Sequence, residues 1–363
     1  MTFKKSSRRK KIGPTQSSGG MSLFVLRTFL LTTQKKYALS LFGCLLVGGA
    51  GGLFFSGSQA INSQATVLRA SGYTFVRPLL EVEFPEQSKE FKPLQKKVSR
   101  MVEQAITNGD ANRVGVYFRG LNQGRWLGVH EDEKFAPASL LKVPIMLSYL
   151  KLAETDPSIL SRQFVYRGLD ELSEKQNIKS GVQLKIGASY SVEQLLRYMI
   201  QRSDNNAMVV LREHLDPEKL KQTFRDIGLA DAYIAKNDKE NFMSPKTYAL
   251  VFRMLYNGTY LSRGGSEKAL RLLSEVEFKE GLVAGVPSSV AVVHKFGERQ
   301  IIVATTGEVK TRELHDCGIV YDKETPYLLC IMTEGTDFTK LQKTIAKISS
   351  LAYEDAHELL AAN

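Results

Sequence analysis

Strand-like segments in this chain fall into two groups separated by a long helical stretch, and that order constrains the fold most. Val114 to Gly120 and Arg125 to His130 are joined by Leu121-Asn122-Gln123-Gly124, a hairpin signal. Ser289 to Lys295, Ile301 to Thr306, Cys317 to Tyr321 and Tyr327 to Thr333 follow much later. Between the groups, from about Ser139 to Leu273, the chain reads as largely helical. A helix over Pro93 to Asn108 precedes the first group, with Leu94, Val98, Val102 and Ala105 on one face. A last helix, Phe338 to Leu360, carries Leu341, Ile345, Ile348 and Leu359 at helical spacing. Strands this close in sequence pair as hairpins, whereas parallel strands need a crossover between each pair. The expected fold class is therefore α+β: a mostly antiparallel sheet flanked by N- and C-terminal helices, with an inserted all-helical subdomain.

Charge separates the N-terminal segment from the rest. The net charge is +11, but the first 68 residues hold nine Lys and Arg and no Asp or Glu. From Arg69 onward, 40 basic residues face 38 acidic ones, so a nucleic-acid partner is not indicated. Residues 1–36 read as a basic cytoplasmic tail. Residues 37–57, YALSLFGCLLVGGAGGLFFSG, are uncharged and long enough to span a bilayer as a helix. The basic flank precedes them, which keeps the N-terminus inside and sends the rest out of the cytoplasm. Ser58-Gln59-Ala60 leaves open a cleaved signal peptide and secretion. Residues 58–84 read as a stalk, and 85–363 as the folded domain, expected to be a monomer.

The chain has three Cys, without the close spacings of a zinc site, so no metal is expected. Cys317 and Cys330 flank an apparent hairpin around Lys323-Glu324, a register that sets them opposite each other. Adjacent-strand disulfides are geometrically demanding, so the expectation is two buried free thiols.

Three short pieces could carry chemistry. In Pro137-Ala138-Ser139-Leu140-Leu141-Lys142, the serine falls at a helix start with the lysine three residues on, on the same face. The helix dipole and burial both disfavour a charged lysine there, and a neutral amine can take the serine proton. Ser139 and Lys142 then form a nucleophile–base pair, although a serine at a helix start is ordinarily an N-cap. In Arg202-Ser203-Asp204-Asn205, between two helices, Ser203 can relay a proton toward a leaving nitrogen and Asn205 can bind a substrate amide. In His294-Lys295-Phe296-Gly297-Glu298, Lys295 supplies positive charge for a substrate carboxylate, and Gly297 lets the backbone approach closely. The N–H groups of Ser139 and Glu298 can form an oxyanion hole. Taken singly, the second and third pieces read as a capped turn and an edge strand.

Together the three match S-x-x-K, S-D-N and, in part, K-[ST]-G, in that order. Across roughly Pro93 to Asn363 the chain resembles the penicillin-binding proteins and class A β-lactamases, and the layout of helices and strands agrees. The resemblance implies a serine acylated by β-lactams or by cell-wall peptides ending in D-Ala-D-Ala, with no cofactor and no metal.

Two departures from the family pattern stand out. Phe296 occupies the place of the motif's Thr or Ser, so a hydroxyl for the substrate carboxylate is missing. His294 or Arg312 is the candidate substitute. The loop that carries the deacylating glutamate in class A β-lactamases corresponds to Gly228 to Phe242, which is short and lacks E-x-x-L-N. Asp238 and Glu240 are its nearest carboxylates. The expected activity is a serine acyl-hydrolase that opens the β-lactam amide and deacylates slowly. The alternatives are a penicillin-binding D,D-peptidase and a non-catalytic module that binds cell-wall peptides or a partner. His315-Asp316 does not read as part of a triad, because neighbours on a strand point to opposite faces. Trp126 reads as packed sheet.

Overall fold

The computed structural model describes residues 66–70, 79–83, 86–168, 176–178, 181–230, 243–303, 305, 307–322 and 325–361. The expected tail and membrane segment, with Asp238, Glu240, Lys323 and Glu324, lie outside them. Among the described residues no helix is long and apolar enough to cross a membrane.

Five antiparallel strands form the central sheet in the order β4-β3-β9-β8-β7: β3 Arg113–Gly120, β4 Trp126–Val129, β7 Ala291–Ile302, β8 Val309–Tyr321 and β9 Tyr327–Gly335. In β3 and β9 nearly every side chain is buried, whichever face it points to. Segments such as VGVYF and YLLCIM are apolar without alternation because helices cover both faces of the sheet. On one face lie α1 (Lys92–Thr107) and the last helix, α8 (Phe338–Ala361); helix α6 (Pro245–Asn257) also packs on β3, β8 and β9. Trp126 is packed sheet, stacked on Tyr117 with ring centroids 5.5 Å apart.

The helical subdomain centres on α2 (Lys142–Ala153), in which every side chain from Lys142 to Leu150 is buried. A helix apolar on all sides belongs in a core. Around it lie α3 (Val192–Gln201), begun by a Ser191–Gln194 capping box, α4 (Asn205–Glu213), α5 (Pro217–Asp226) and α7 (Arg263–Ser274). A small hairpin, β5 (Gln163–Val165) with β6 (Ser189–Ser191), interrupts the helices.

Three expectations are corrected. The segment read as two strands, Ser289 to Lys295 and Ile301 to Thr306, is one strand, and β8 begins eight residues before Cys317. The polar run Glu298-Arg299-Gln300 resembles a loop, yet its backbone pairs with Leu314, Glu313 and Arg312. The turn falls later, where Gly307 takes a positive φ of 72°. Cys317 and Cys330 do face each other in register, and they form a disulfide rather than two thiols. The pairing of β8 with β9 brings their Cα atoms to 3.9 Å.

The stalk reading also fails in part. Thr66–Arg69 (β1) and Leu79–Glu83 (β2) pair with each other, and β2 packs on α6. In Leu-Leu-Glu-Val-Glu, Glu81 and Glu83 are buried against Arg253 of α6. Arg119 Nη1 also donates to Glu83 at 3.0 Å, and the Tyr117 hydroxyl donates to the same carboxylate. Burial lifts the Glu81 carboxyl above its ordinary pKa even with Arg253 beside it. A buried charge stripped of its partner is costly. Arg253→Ala is therefore expected to destabilise the protein by about 3–5 kcal/mol in urea titration. A change under about 1 kcal/mol would show that β1–β2 is not held by this cluster.

Candidate active site

The turn before α2 is clamped from the sheet. Ala136 N–H donates to Glu313 Oε1 at 3.2 Å, and His315 Nε2 lies 2.8 Å from the Ala136 carbonyl. Glu313 and His315 are two residues apart on β8, so both reach the same face. The carbonyl can only accept, so Nε2 of His315 carries the proton, and Nδ1 accepts from Thr333 N–H. Burial pushes the His315 pKa down to about 4, which keeps the ring neutral. The chain then passes through Ala138 at φ 49°, a left-handed conformation that non-glycine residues seldom adopt, into a 3-10 turn over Ala138–Leu141. Ser139 sits in that turn and caps nothing; the N-cap position is Pro137.

Lys142 is wholly buried beneath Ser139. Its Nζ lies 2.9 Å from Ser139 Oγ, 3.1 Å from Ser203 Oγ and 2.7 Å from Asn205 Oδ1, and it meets the Ser203 carbonyl. Desolvation lowers its pKa to about 7, against the opposing pull of Asp204 and Glu298. The two carbonyl oxygens can only accept, so a neutral amine gives them its N–H groups. Its lone pair is then left for the Ser139 hydroxyl. Ser203 is buried at φ 56°, and its Oγ also receives Lys295 Nζ at 3.0 Å. Asp204, the middle residue of the motif, is the N-cap of α4 and accepts from Ala207 N–H at 2.7 Å. That bond fixes where Asn205 begins the helix.

Strand β7 forms the opposite wall, and it is an edge strand. The Phe296 carbonyl accepts from Lys295 Nζ at 2.7 Å, so it points to the open edge. By the two-residue period of a strand, the Glu298 N–H faces the same edge. Ser139 N–H lies in a first turn, where no intrahelical acceptor exists. These two donors are the ones assigned to an oxyanion hole. A Cβ on Gly297 would come within 3.0 Å of Pro137 O and 3.1 Å of Leu140 Cγ. The glycine thus lets the strand approach the serine turn itself, a closer reason than the approach of a substrate.

The structure brings Ser139, Lys142, Ser203, Asn205 and Lys295 into one hydrogen-bonded cluster, with Gly297 and Glu298 beside it. It does not place His294 or Arg312 there. His294 is buried and bonded through Nδ1 to Asp316 Oδ1 at 2.8 Å, while Arg312 donates to the Thr336 carbonyl. His315 and Asp316 do point apart, as the strand geometry required. Sequence reasoning missed the Glu313 and His315 clamp and the segment around Asn177. There Gln176 Nε2 donates to the Ser203 carbonyl at 2.8 Å, and the Asn177 and Ile178 N–H groups donate to Glu298 Oε1. Nothing local in the sequence marks these long-range partners. Among the described residues no group of three or more His, Cys, Asp or Glu is arranged to hold a metal ion.

Comparison with known proteins follows the same lines. The model of the β-lactamase enzyme family matches residues 93–356. No curated protein matches the sequence. Among solved structures, PBP-A is 21% identical, covers 75% of this chain and 99% of its own, and superposes with a TM-score of 0.61. A variant of PBP-A, solved as an acyl-enzyme complex with penicillin G, gives 20%, 75%, 99% and 0.61. A β-lactamase from Sphaerobacter thermophilus gives 19% identity, 72% and 98% coverage and a TM-score of 0.60. Identities this low establish the shared fold.

Two pH dependences follow. If Lys142 is the base, the second-order acylation rate rises through about pH 7 and levels above it, as the amine loses its proton. A flat profile between pH 6 and 8 by stopped-flow would remove Lys142 from that role. His315 works in the other direction for stability. Unfolded, it takes up a proton near 6.5; folded, only near 4. The unfolded chain binds the extra proton between those values, so stability falls as pH drops through that window, by up to about 3 kcal/mol. His315→Gln should lose most of that slope in urea titrations at pH 4.5 and 6.5.

Proposed function

The chain belongs to the β-lactamase enzyme family, and from that premise we propose that it is a serine acyl-hydrolase acylated at Ser139 by β-lactam amides. One observation carries the reading: a wholly buried Lys142 amine 2.9 Å from the serine oxygen, with a pKa of about 7. In this mechanism the Lys142 lone pair takes the Ser139 proton as Oγ attacks the amide carbonyl. The N–H groups of Ser139 and Glu298 hold the resulting oxyanion. The proton passes from Lys142 Nζ through Ser203 Oγ to the ring nitrogen, and the C–N bond breaks. An ester on Ser139 and a ring-opened amine result. Asn205 turns its carbonyl toward Lys142, so its amide nitrogen is the end that meets a substrate carbonyl.

Water then cleaves the ester slowly. Among the described residues no carboxylate hydrogen-bonds Ser139 or Lys142, and the 228–242 stretch lacks the glutamate followed by Leu-Asn. The same feature favours a second reading, a penicillin-binding D,D-peptidase acting on cell-wall peptides. We place the catalytic domain outside the cytoplasm, anchored by residues 37–57. The Cys317–Cys330 disulfide supports an oxidising compartment.

The test is intact mass over time for the detergent-solubilised full chain with a fluorescent penicillin. The expected result is an adduct on Ser139 that clears over minutes to hours while ring-opened product accumulates, and none on Ser139→Ala. An adduct that never clears selects the peptidase reading. Absence of any adduct leaves a non-catalytic binding module. Ser203→Ala is expected to slow adduct formation by roughly 10²–10⁴, the usual worth of a positioned proton-transfer group.

A further inference from the structure

On this wall of the site Lys295, expected from the sequence to meet a substrate carboxylate, already has two protein partners. Lys295 is fully buried, and its Nζ donates to Ser203 Oγ and the Phe296 carbonyl. It also sits over the Phe296 ring, 4.1 Å from the centroid. The Phe296 side chain brings no hydroxyl. It stacks on Phe278, ring centroids 4.5 Å apart, so the wall beside the lysine is an aromatic pair. A cavity of about 210 Å³ lies against that pair, its lining including Ile178, Arg202, Glu277, Phe278, Glu280 and Phe296. Arg202 Nε is bonded to Glu277 at 2.8 Å, and its guanidinium lies over Tyr198. Among the described residues the lining therefore holds one guanidinium and two carboxylates. The carboxylate of Glu298 is bound to Asn177 and to the N–H of Ile178, a residue of that lining.

Anions are stabilised by cations and donors left facing them, and an unpaired carboxylate pressed against aromatic rings is costly. We propose that this site selects acyl donors that are uncharged and apolar at the end where the family pattern places a carboxylate, with Phe296 as the residue that sets the preference. The proposal rests on acylation at Ser139. Phe278 and Ile178 complete an apolar seat for that end, and Glu280 repels an anion there.

The probe is a matched pair, benzylpenicillin and its methyl ester, with each acylation rate divided by the compound's own alkaline hydrolysis rate. Second-order rates of adduct formation on the full chain are read by mass. The ester is expected to acylate at least tenfold faster than the free acid. Phe296→Thr, which puts a hydroxyl beside Lys295, should move that ratio at least tenfold toward the acid. Glu280→Gln, at an exposed position, should raise the rate with the acid alone by about twofold to fivefold at low salt. Equal rates, or a faster acid, would overturn the proposal while leaving acylation standing. Failure of both compounds to form an adduct would remove the acylation reading and the proposal together. Should Phe296→Thr not fold, the comparison on the unaltered chain and on Glu280→Gln decides the matter.

Discussion

An amine held out of water is the condition on which the site depends. Lys142 opens a helix whose next eight side chains are all buried, so the apolar run that makes α2 the core of its subdomain also desolvates the lysine. Solvating that amine would return its pKa toward 10.5, and Ser139 would face a cation with no lone pair to offer. Core packing and the lowered pKa of Lys142 have here the same cause. The acceptors around Nζ do the rest: the Ser203 carbonyl and Asn205 Oδ1 take its protons and so turn its lone pair to the serine.

Position is supplied from the sheet. Ser139 stands on a turn strained at Ala138, and such a turn persists only when its surroundings fix it. Glu313 and His315 hold Ala136 from both sides of its peptide, and Gly297 allows β7 to lie directly against Pro137 and Leu140. The neutral state of His315 matters for the same reason, since a protonated ring could not accept from Thr333 N–H.

What the sequence made legible was local. Ser139 and Lys142 share a helix face three residues apart, Ser203 and Asn205 flank a helix start, and Lys295 and Gly297 lie on one strand. Each pair is set by a period that a reader can count. The helices at both ends and the first hairpin were legible for the same reason. Misreadings came where partners were distant. Residues 58–84 read as a stalk because Arg253, the partner of Glu83, lies 170 positions beyond it. The polar run in β7 looked like a loop because backbone pairing with β8, not side-chain character, holds it in the sheet. The disulfide was set aside on average geometry, although the register that produces it had been read correctly. The sequence also gives no sign that Lys295 Nζ donates to Ser203 and to the Phe296 carbonyl.

The order of strands decides when the site can be assembled. β3 lies beside β9, so residues near position 115 pair with residues near 332, and the sheet cannot close until nearly the whole chain is available. Such non-local pairing makes folding slow, because a long loop must be ordered before the contact forms. During synthesis from the N-terminus, Ser139 and Lys142 exist well before Lys295, Glu313 and His315. Until β7 and β8 arrive, the amine has no sheet to shield it and the turn has no clamp. The nascent chain thus carries Ser139 and Lys142 without the surroundings that position them, and the site is assembled only with the last strands.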